Sequence, residues 1–300
     1  MAEPMLHLDT LCVRYGTRVV LDGLSLAPIE PGTTIGLLGP NGVGKSTLLR
    51  ALARLASATG RAAFGGFDLL HGSRREHMRQ VGYLPQTLPQ PSSLLVYEAV
   101  RSALRATCGG LPETTREQRL QQVFTRLRLH ALAMSPLDRL SGGQRQMVGL
   151  AQVLVRDTPL LLLDEPTSAL DLRWQLLALE AVGDAARRRG AIVLVAMHDL
   201  NLASRFCDRL MLLSADGLVA DGVPADVLTP SNLRRAYRVD ARVERTASGD
   251  YVALAERGNS GRAGACLRQL SDSTIRPAPA ASGNEKTRID TAVDAGFMRL

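Results

Sequence analysis

Few folds can accommodate residues 33–56, which read TTIGLLGPNGVGKSTLLRALARLA. An apolar run suited to a buried strand comes first, and apolar residues with helical spacing come last. Between them, residues 39–46 have the spacing G-x-x-x-x-G-K-S, in which glycines let successive N–H groups turn inward toward phosphate oxygens. The stretch therefore predicts a strand, a phosphate-binding loop and a helix that begins near Lys45.

The lysine in this loop is unusual for the chain. Of 36 basic residues only Lys45 and Lys286 are lysines, and the others are arginines. A compact ammonium on a flexible stem can reach between β- and γ-phosphates, whereas a planar guanidinium would not fit the same loop. Ser46 would offer its hydroxyl to Mg²⁺. The alternative is a glycine-rich turn with an incidental lysine, and the flanking strand and helix patterns argue against it.

A second acidic pattern, LLLLDEP, ends an apolar run at Asp164 and Glu165. An aspartate at such a strand end supports Mg²⁺ in nucleotide hydrolases. The carboxylate beside it can orient a water molecule and accept its proton. The alternative is two acids that close a strand before the turn at Pro166. The phosphate-binding loop upstream favours the catalytic interpretation.

The stretch LSGGQRQ, residues 140–146, predicts a helix start. Ser141 and Gln144 have the capping-box spacing S-x-x-Q. The two glycines between them would let a phosphate approach the first-turn N–H groups closely. The alternative is an ordinary capped helix.

The rest of the chain predicts an α/β protein. Residues 1–30 alternate in hydropathy, with Gly16 and Gly23 as turn points, which is typical of antiparallel strands. Residues 87–139 show helical spacing, and Thr114 and Glu117 have capping-box spacing. Strand patterns return at 159–164, 191–197 and 209–222, with a helix pattern between the first two, so we expect a parallel sheet flanked by helices.

Composition excludes several classes of protein. The net charge is +7, but aromatic residues are only 4% and no basic run is interleaved with them, so no nucleic-acid partner is expected. The four cysteines are far apart, which indicates neither a zinc site nor a disulfide framework. The start has no signal-peptide pattern, and the apolar runs are too short to cross a bilayer. Residues 257–300 are rich in Gly, Ala, Ser, Pro and Arg, which predicts a poorly ordered tail without an assigned function.

Over residues 5–240 the chain resembles the ATP-binding cassette (ABC) family, because its landmarks occur in that family's order. GPNGVGKS resembles the Walker A loop, Gln86 in YLPQ the Q-loop glutamine, LSGGQ the signature and LLLLDE the Walker B strand. SALD resembles the D-loop with Asp171, MHD the switch with His198, and Tyr15 stands where the family has an aromatic residue that stacks on adenine.

The resemblance implies a mostly parallel P-loop NTPase core with an N-terminal antiparallel β subdomain and an inserted helical subdomain. Together with the composition of the tail, it predicts an ATPase domain at residues 1–256, with the helical subdomain at about 87–150, and a tail at 257–300. It also implies a homodimer of cassettes facing head to tail, with each ATP held between the Walker A loop of one and the signature of the other.

The resemblance implies the following roles. Glu165 is the general base, His198 bonds the γ-phosphate, Gln86 contacts Mg²⁺ and the attacking water, and Lys45 binds phosphate. Mg²⁺ is held by Ser46, Gln86 and Asp164. The nucleotide-binding set is Tyr15, Gly39, Pro40, Asn41, Gly42, Val43, Gly44, Lys45, Ser46 and Thr47 in one chain, with Ser141, Gly142, Gly143, Gln144 and Asp171 at the shared interface.

The segment after His198, with MHDLNLA, GVPADVLT and LRRAY, resembles the importers of ferric siderophores, haem and cobalamin. This implies an ATPase subunit that works with integral membrane permeases, and indirectly with a substrate-binding protein, at the cytoplasmic face of the inner membrane. Met147 and Gln152 depart from the common family pattern, in which arginines are frequent. The alternatives are a transporter for another metal ion, an exporter, and a soluble non-transport ABC ATPase.

Overall fold

The computed structural model describes residues 4–88, 90, 92–108, 110–247 and 249–255. The strands of these residues are β1 Leu6–Tyr15, β2 Arg18–Ile29, β3 Thr34–Leu38, β4 Ala58–Phe64, β5 Phe67–Asp68, β6 Val81–Leu84, β7 Leu160–Asp164, β8 Ile192–Ala196, β9 Arg209–Ser214, β10 Gly217–Gly222, β11 Ala241–Arg245 and β12 Tyr251–Ala255. The α-helices are α1 Lys45–Leu52, α2 Arg74–Gln80, α3 Val96–Cys108, α4 Glu113–Arg126, α5 Gly142–Leu154, α6 Leu172–Arg189, α7 Leu200–Phe206, α8 Pro224–Val227 and α9 Pro230–Tyr237.

The central sheet has the order β10-β9-β3-β8-β7-β6. All its neighbouring strands are parallel except β9 and β10, which form an antiparallel pair. Because β3 and β7 lie on either side of β8, the carboxyl ends of β3 and β7 meet at one edge of the sheet. The phosphate-binding loop and the pair Asp164–Glu165 are therefore brought to the same place, as the predicted parallel sheet requires.

Both faces of this sheet are buried. On β7, Leu161 and Leu163 pack into a core with helices α3 to α6, while Leu160 and Leu162 pack into a second core with α1 and the strands of the antiparallel sheet. The antiparallel sheet has the order β2-β1-β4-β5. Burial on both faces explains the unbroken apolar runs of the sequence. The predicted fold class is confirmed.

Two local predictions are wrong. Gly23 is not a turn point, because it lies inside β2 with φ 61°, at a shift in the β1–β2 register. A bulge there takes a residue with positive φ without reversing the chain. Thr114 does not cap α4, because that helix begins at Glu113 after Pro112. Glu117 instead accepts a hydrogen bond from the Tyr97 hydroxyl at 2.7 Å.

The division into a domain 1–256 and a tail 257–300 stays a prediction, because the tail lies outside the described residues. Helices α3, α4 and α5 occupy the region predicted as an inserted helical subdomain. Among the described residues, no helix is both long and apolar enough to span a bilayer.

Candidate nucleotide site

The loop between β3 and α1 depends on its glycines. Gly39, Gly42 and Gly44 have positive φ angles of 139°, 79° and 113°. A Cβ atom on Gly39 would lie 2.4 Å from the carbonyl oxygen of Leu213 on β9, a distance at which backbone would have to move. Only glycine permits both this conformation and this close approach. The loop is thus curled tightly against the end of the sheet.

Lys45 is the first residue of α1, and its side chain lies under the loop with 5% of the residue exposed. Its Nζ donates to the carbonyl oxygens of Gly39 at 2.6 Å and Pro40 at 2.9 Å. Burial lowers the pKa of Lys45, while the negative charges of Glu165 and Asp164 oppose this shift. A buried cation that faces carbonyl oxygens and two acids is suited to donate charge-assisted hydrogen bonds to phosphate oxygens.

A hydrogen bond between Ser46 and Asp164 links the phosphate-binding loop to the acidic end of β7. Ser46 Oγ donates to Oδ1 of Asp164 at 2.8 Å. Asp164 is 2% exposed, and this burial raises its pKa, an effect that the bond from Ser46 partly offsets. A hydroxyl and a carboxylate this close are the oxygen donors that Mg²⁺ takes from proteins when substrate phosphates complete its shell. The donor set therefore fits Mg²⁺.

Glu165 follows β7 directly and has a left-handed backbone, with φ 51°. Its N–H donates to the carbonyl of Ala196 on β8 at 3.2 Å. Oε2 accepts from Nε2 of Gln86 at 2.9 Å, and Oε1 lies 2.5 Å from Nε2 of His198. A left-handed non-glycine residue is uncommon and is found at functional sites. The backbone turn aims this carboxylate at the groups from β6 and β8.

These side chains share one open cavity of about 430 Å³. Its lining residues are Asn41, Gly42, Gly44, Lys45, Ser46, Thr47, Gln86, Glu165 and His198. The structure thus brings together nine of the predicted site residues, from the loop, from the end of β6, from β7 and from the segment after β8.

The predicted signature residues stand elsewhere. Ser141 caps α5 by accepting from the Gln144 N–H at 3.2 Å, and Gln144 Oε1 accepts from the Ser141 N–H at 2.9 Å, so the predicted capping box is confirmed. Ser141 and Gly142 are exposed. Residues 141–144 do not line the nucleotide cavity of their own chain. The start of α5 is therefore exposed on the surface of this chain, outside the cavity.

The remaining predicted residues have mixed positions. Tyr15 is 45% exposed and is not among the residues that line the cavity. Asp171 caps α6, where its carboxylate accepts from the Trp174 N–H at 2.9 Å. Val43 is partly buried against the core beside the antiparallel sheet.

Two residues contact the site without having been predicted. Gln146 on α5 is 4% exposed, and its Nε2 donates to the backbone carbonyl of Glu165 at 3.3 Å. The Tyr237 hydroxyl, at the end of α9, accepts from the Gly39 N–H at 2.9 Å. Both lie in the motifs LSGGQRQ and LRRAY, but nothing in the spacing of these motifs indicated the contacts.

Comparison with known proteins identifies similar sequences. The family model described as ABC transporter matches residues 21–168. The chain is 42% identical over 253 residues to the hemin import ATP-binding protein HmuV of Pseudomonas aeruginosa, which covers 80% of this chain and 95% of that protein. It is 33% identical over 241 residues to the iron(3+)-hydroxamate import ATP-binding protein FhuC of Bacillus subtilis, and the alignment covers 79% of this chain and 89% of that protein. It is 40% identical over 236 residues to the cobalamin import ATP-binding protein BtuD of Halobacterium salinarum, and the alignment covers 76% of this chain and 56% of that protein.

Solved structures are similar as well. An inward-facing ABC transporter described as of the metal-chelate type has a TM-score of 0.70 and 25% identity, covering 85% of this chain and 98% of that chain. A dimeric ATP-binding cassette in a post-hydrolysis state with ADP and phosphate has a TM-score of 0.65 and 25% identity, covering 73% of this chain and 98% of that chain.

Proposed function

Because this chain belongs to the ABC transporter family of ATP-hydrolysing subunits, we propose that it powers import of a metal chelate through a membrane permease. The substrate class is a ferric siderophore, haem or cobalamin. One observation carries this proposal: the chain is 33–42% identical to ATP-binding proteins named for import of these three compounds. The partners are integral permease subunits and, indirectly, a substrate-binding protein. The chain then acts peripherally at the cytoplasmic face of the inner membrane.

Nucleotide binding is assigned first to the loop. The N–H groups of residues 41–47 and the ammonium of Lys45 bind the phosphates, and the start of α1 adds the positive end of its dipole. Lys45 exchanges the carbonyls of Gly39 and Pro40 for phosphate oxygens when ATP enters. Tyr15 is the proposed adenine contact, since 45% of it is exposed and available for stacking.

Ser46 and Asp164, with Gln86 nearby, are the proposed protein contacts of Mg²⁺. When bound there, Mg²⁺ would neutralise negative charge on the phosphates during hydrolysis. Ser46 and Asp164 are already held together, so the site needs little rearrangement to bind it. Burial of Asp164 raises its pKa, which means that its anionic form is poorly solvated there and gains from a nearby cation.

Glu165 is the proposed general base. Both of its carboxylate oxygens face donors, Gln86 at one and His198 at the other. We infer that His198 turns its Nε2–H to the γ-phosphate when ATP is bound, which leaves Oε1 open to a water proton. Gln86 can then hold the water while Glu165 accepts its proton. The hydroxide so formed attacks the γ-phosphorus as the bond to ADP breaks.

The cavity of one chain lacks the signature residues, of which Ser141 and Gly142 are exposed at the start of α5. A second copy placed head to tail would supply them to the γ-phosphate. Closure then excludes water and completes the set of hydrogen-bond donors. We therefore propose that the working unit is a homodimer with two ATP molecules between its chains. Asp171, at the cap of α6, belongs to the same interface.

The permease contact is assigned to the helical region that follows Gln86. A groove of about 390 Å³ lies there, and its apolar lining includes Leu88, Leu94, Leu137 and Val148. Because Gln86 bonds Glu165 and lies two residues before Leu88, loss of the γ-phosphate can be transmitted to this groove.

The test is co-expression with permease and binding-protein pairs specific for each of the three chelates, followed by reconstitution in vesicles. We expect ATP-dependent uptake of one of the three chelates and faster ATP hydrolysis when the loaded binding protein is added. Hydrolysis that responds to none of them, but to an unrelated solute, would reject the chelate assignment and leave the ATPase assignment standing.

A further inference from the structure

The phosphate-binding loop is anchored from outside its own strand–loop–helix unit. The N–H of Gly39, the first loop residue, donates to the hydroxyl of Tyr237 at 2.9 Å. The two residues are 198 positions apart. Gly39 is buried, so water does not readily replace this partner. A buried backbone N–H without a partner is costly, and this one depends on the tyrosine hydroxyl.

Tyr237 is itself held firmly. Helix α9 begins at the cap Thr229, whose side chain accepts from the Asn232 N–H, and it has Pro230 in its first turn. Leu233 and Ala236 bury one face of the helix in the core, and α9 packs against β9. The hydroxyl therefore reaches the loop from a fixed position rather than from a mobile side chain.

Gly39 also contacts Lys45, through the next peptide group. The carbonyl of Gly39 accepts from Lys45 Nζ at 2.6 Å, while its Cα lies against the carbonyl of Leu213. One residue thus connects Tyr237 through its N–H, β9 through its Cα and Lys45 through its carbonyl. Displacement of Gly39 would move the carbonyl that positions the lysine and would open the curl of the loop.

We infer that Tyr237 is a positioning residue for nucleotide binding, which keeps the empty loop in the shape that accepts phosphates. This rests on the proposed binding of phosphates by residues 41–47. Without the hydroxyl the loop samples other conformations, and the apparent dissociation constant rises by the inverse of the fraction that remains competent. ADP and ATP are affected equally because both place a β-phosphate in the loop. Turnover at saturation changes little, since nucleotide selects the competent loop.

The test is Tyr237→Phe, which keeps the ring and removes the hydroxyl, with Tyr251→Phe in the C-terminal hairpin as the matched control. Calorimetry with Mg-ATP and with ADP should show dissociation constants raised about fivefold for Tyr237→Phe, corresponding to a loop that is about one-fifth competent. The KM for ATP should rise likewise while kcat stays within about twofold. Tyr251→Phe should leave all three unchanged.

Amide hydrogen exchange of the nucleotide-free chain distinguishes a local effect on the loop from a general loss of stability. Peptides covering residues 39–46 should exchange faster in Tyr237→Phe than in the wild type, with other core peptides unchanged. Unchanged nucleotide affinity and loop exchange, or exchange raised uniformly with a lower melting temperature, would overturn the inference. Failure of the wild-type chain to bind ATP would instead reject the proposed function.

Discussion

The side-chain amide of Gln146 donates to the backbone carbonyl of Glu165, with Nε2 and O 3.3 Å apart. Gln146 lies in the second turn of α5, whose first residues follow the exposed cap Ser141. The helix that would face the partner's nucleotide is therefore bonded directly to the peptide of the proposed general base. Glu165 also adopts φ 51°, a conformation that needs external support.

Gln146→Leu should slow hydrolysis more than it destabilises the fold. The carbonyl of Glu165 still accepts from the N–H and Oγ of Ser168, at 3.3 and 3.2 Å, so the loss of stability should stay below about 1 kcal/mol. Misplacement of the carboxylate should lower kcat on the order of tenfold. Steady-state hydrolysis and urea unfolding measure the two effects.

The control for this variant is Gln152→Leu on the same helix. Gln152 donates to the Ala99 carbonyl at 3.4 Å, away from the nucleotide cavity. We expect it to leave kcat unchanged. Equal losses of kcat in both variants would mean that the helix, rather than the Gln146 bond, is responsible.

Much of the site could be predicted from sequence because many of its functional residues occur in short, contiguous motifs. The glycines of the loop, Lys45, the capping box at Ser141 and the acids after β7 each follow from local spacing. The parallel strands β3, β8 and β7 then bring distant stretches to one edge; their parallel direction follows from the helical crossovers, whereas their order is known from the structure. Local rules sufficed for the loop glycines, Lys45, Ser46 and Glu165, whereas Gln86 and His198 were identified through the resemblance to the ABC family.

Contacts that depend on tertiary packing could not be predicted. Tyr237 meets Gly39 only because α9 packs on β9, and no pattern within LRRAY specifies that neighbour. Gly23 was misjudged because a positive φ serves a bulge as well as a turn. Thr114 failed as a cap because the helix already begins at Glu113, with Pro112 in the N-cap position.

Glu165→Gln should remove proton acceptance while preserving the shape of the side chain. We expect kcat to fall by about 10²- to 10⁴-fold, as for loss of a general base, with the affinity for ATP retained. Because hydrolysis no longer separates the cassettes, light scattering with Mg-ATP should show a species of twice the chain mass. Wild-type turnover in this variant would contradict the role of Glu165, and a monomer with bound ATP would contradict the shared interface.

Lys45→Ala and Lys45→Arg should both weaken ATP binding. Removal of a charge-assisted bond to phosphate costs about 1.5–3 kcal/mol, or roughly 10- to 100-fold in affinity. Arginine keeps the charge, but the lysine head is enclosed by carbonyls at 2.6 and 2.9 Å, which leaves no room for a planar guanidinium. Fluorescent-nucleotide titration measures both variants. Wild-type affinity in Lys45→Arg would show that charge alone matters.

His77 should make the stability of the fold depend on pH. Its ring is buried, with Nε2 2.9 Å from the carbonyl of Leu52. Burial lowers its pKa below the ordinary 6.5, and Arg54 and Arg156 add to the shift, although the bond to Leu52 opposes it. The unfolded chain therefore binds more protons than the folded chain just below pH 6.5, so the stabilisation present above that pH is lost on acidification. Urea unfolding at pH 7.5 and 5.5 should show a smaller fall in the free energy of unfolding for His77→Gln than for the wild type.

The control is His71→Gln, at an exposed histidine. Its free energy of unfolding should fall between pH 7.5 and 5.5 by as much as that of the wild type. Identical falls in His77→Gln and the wild type would assign the acid sensitivity to other groups.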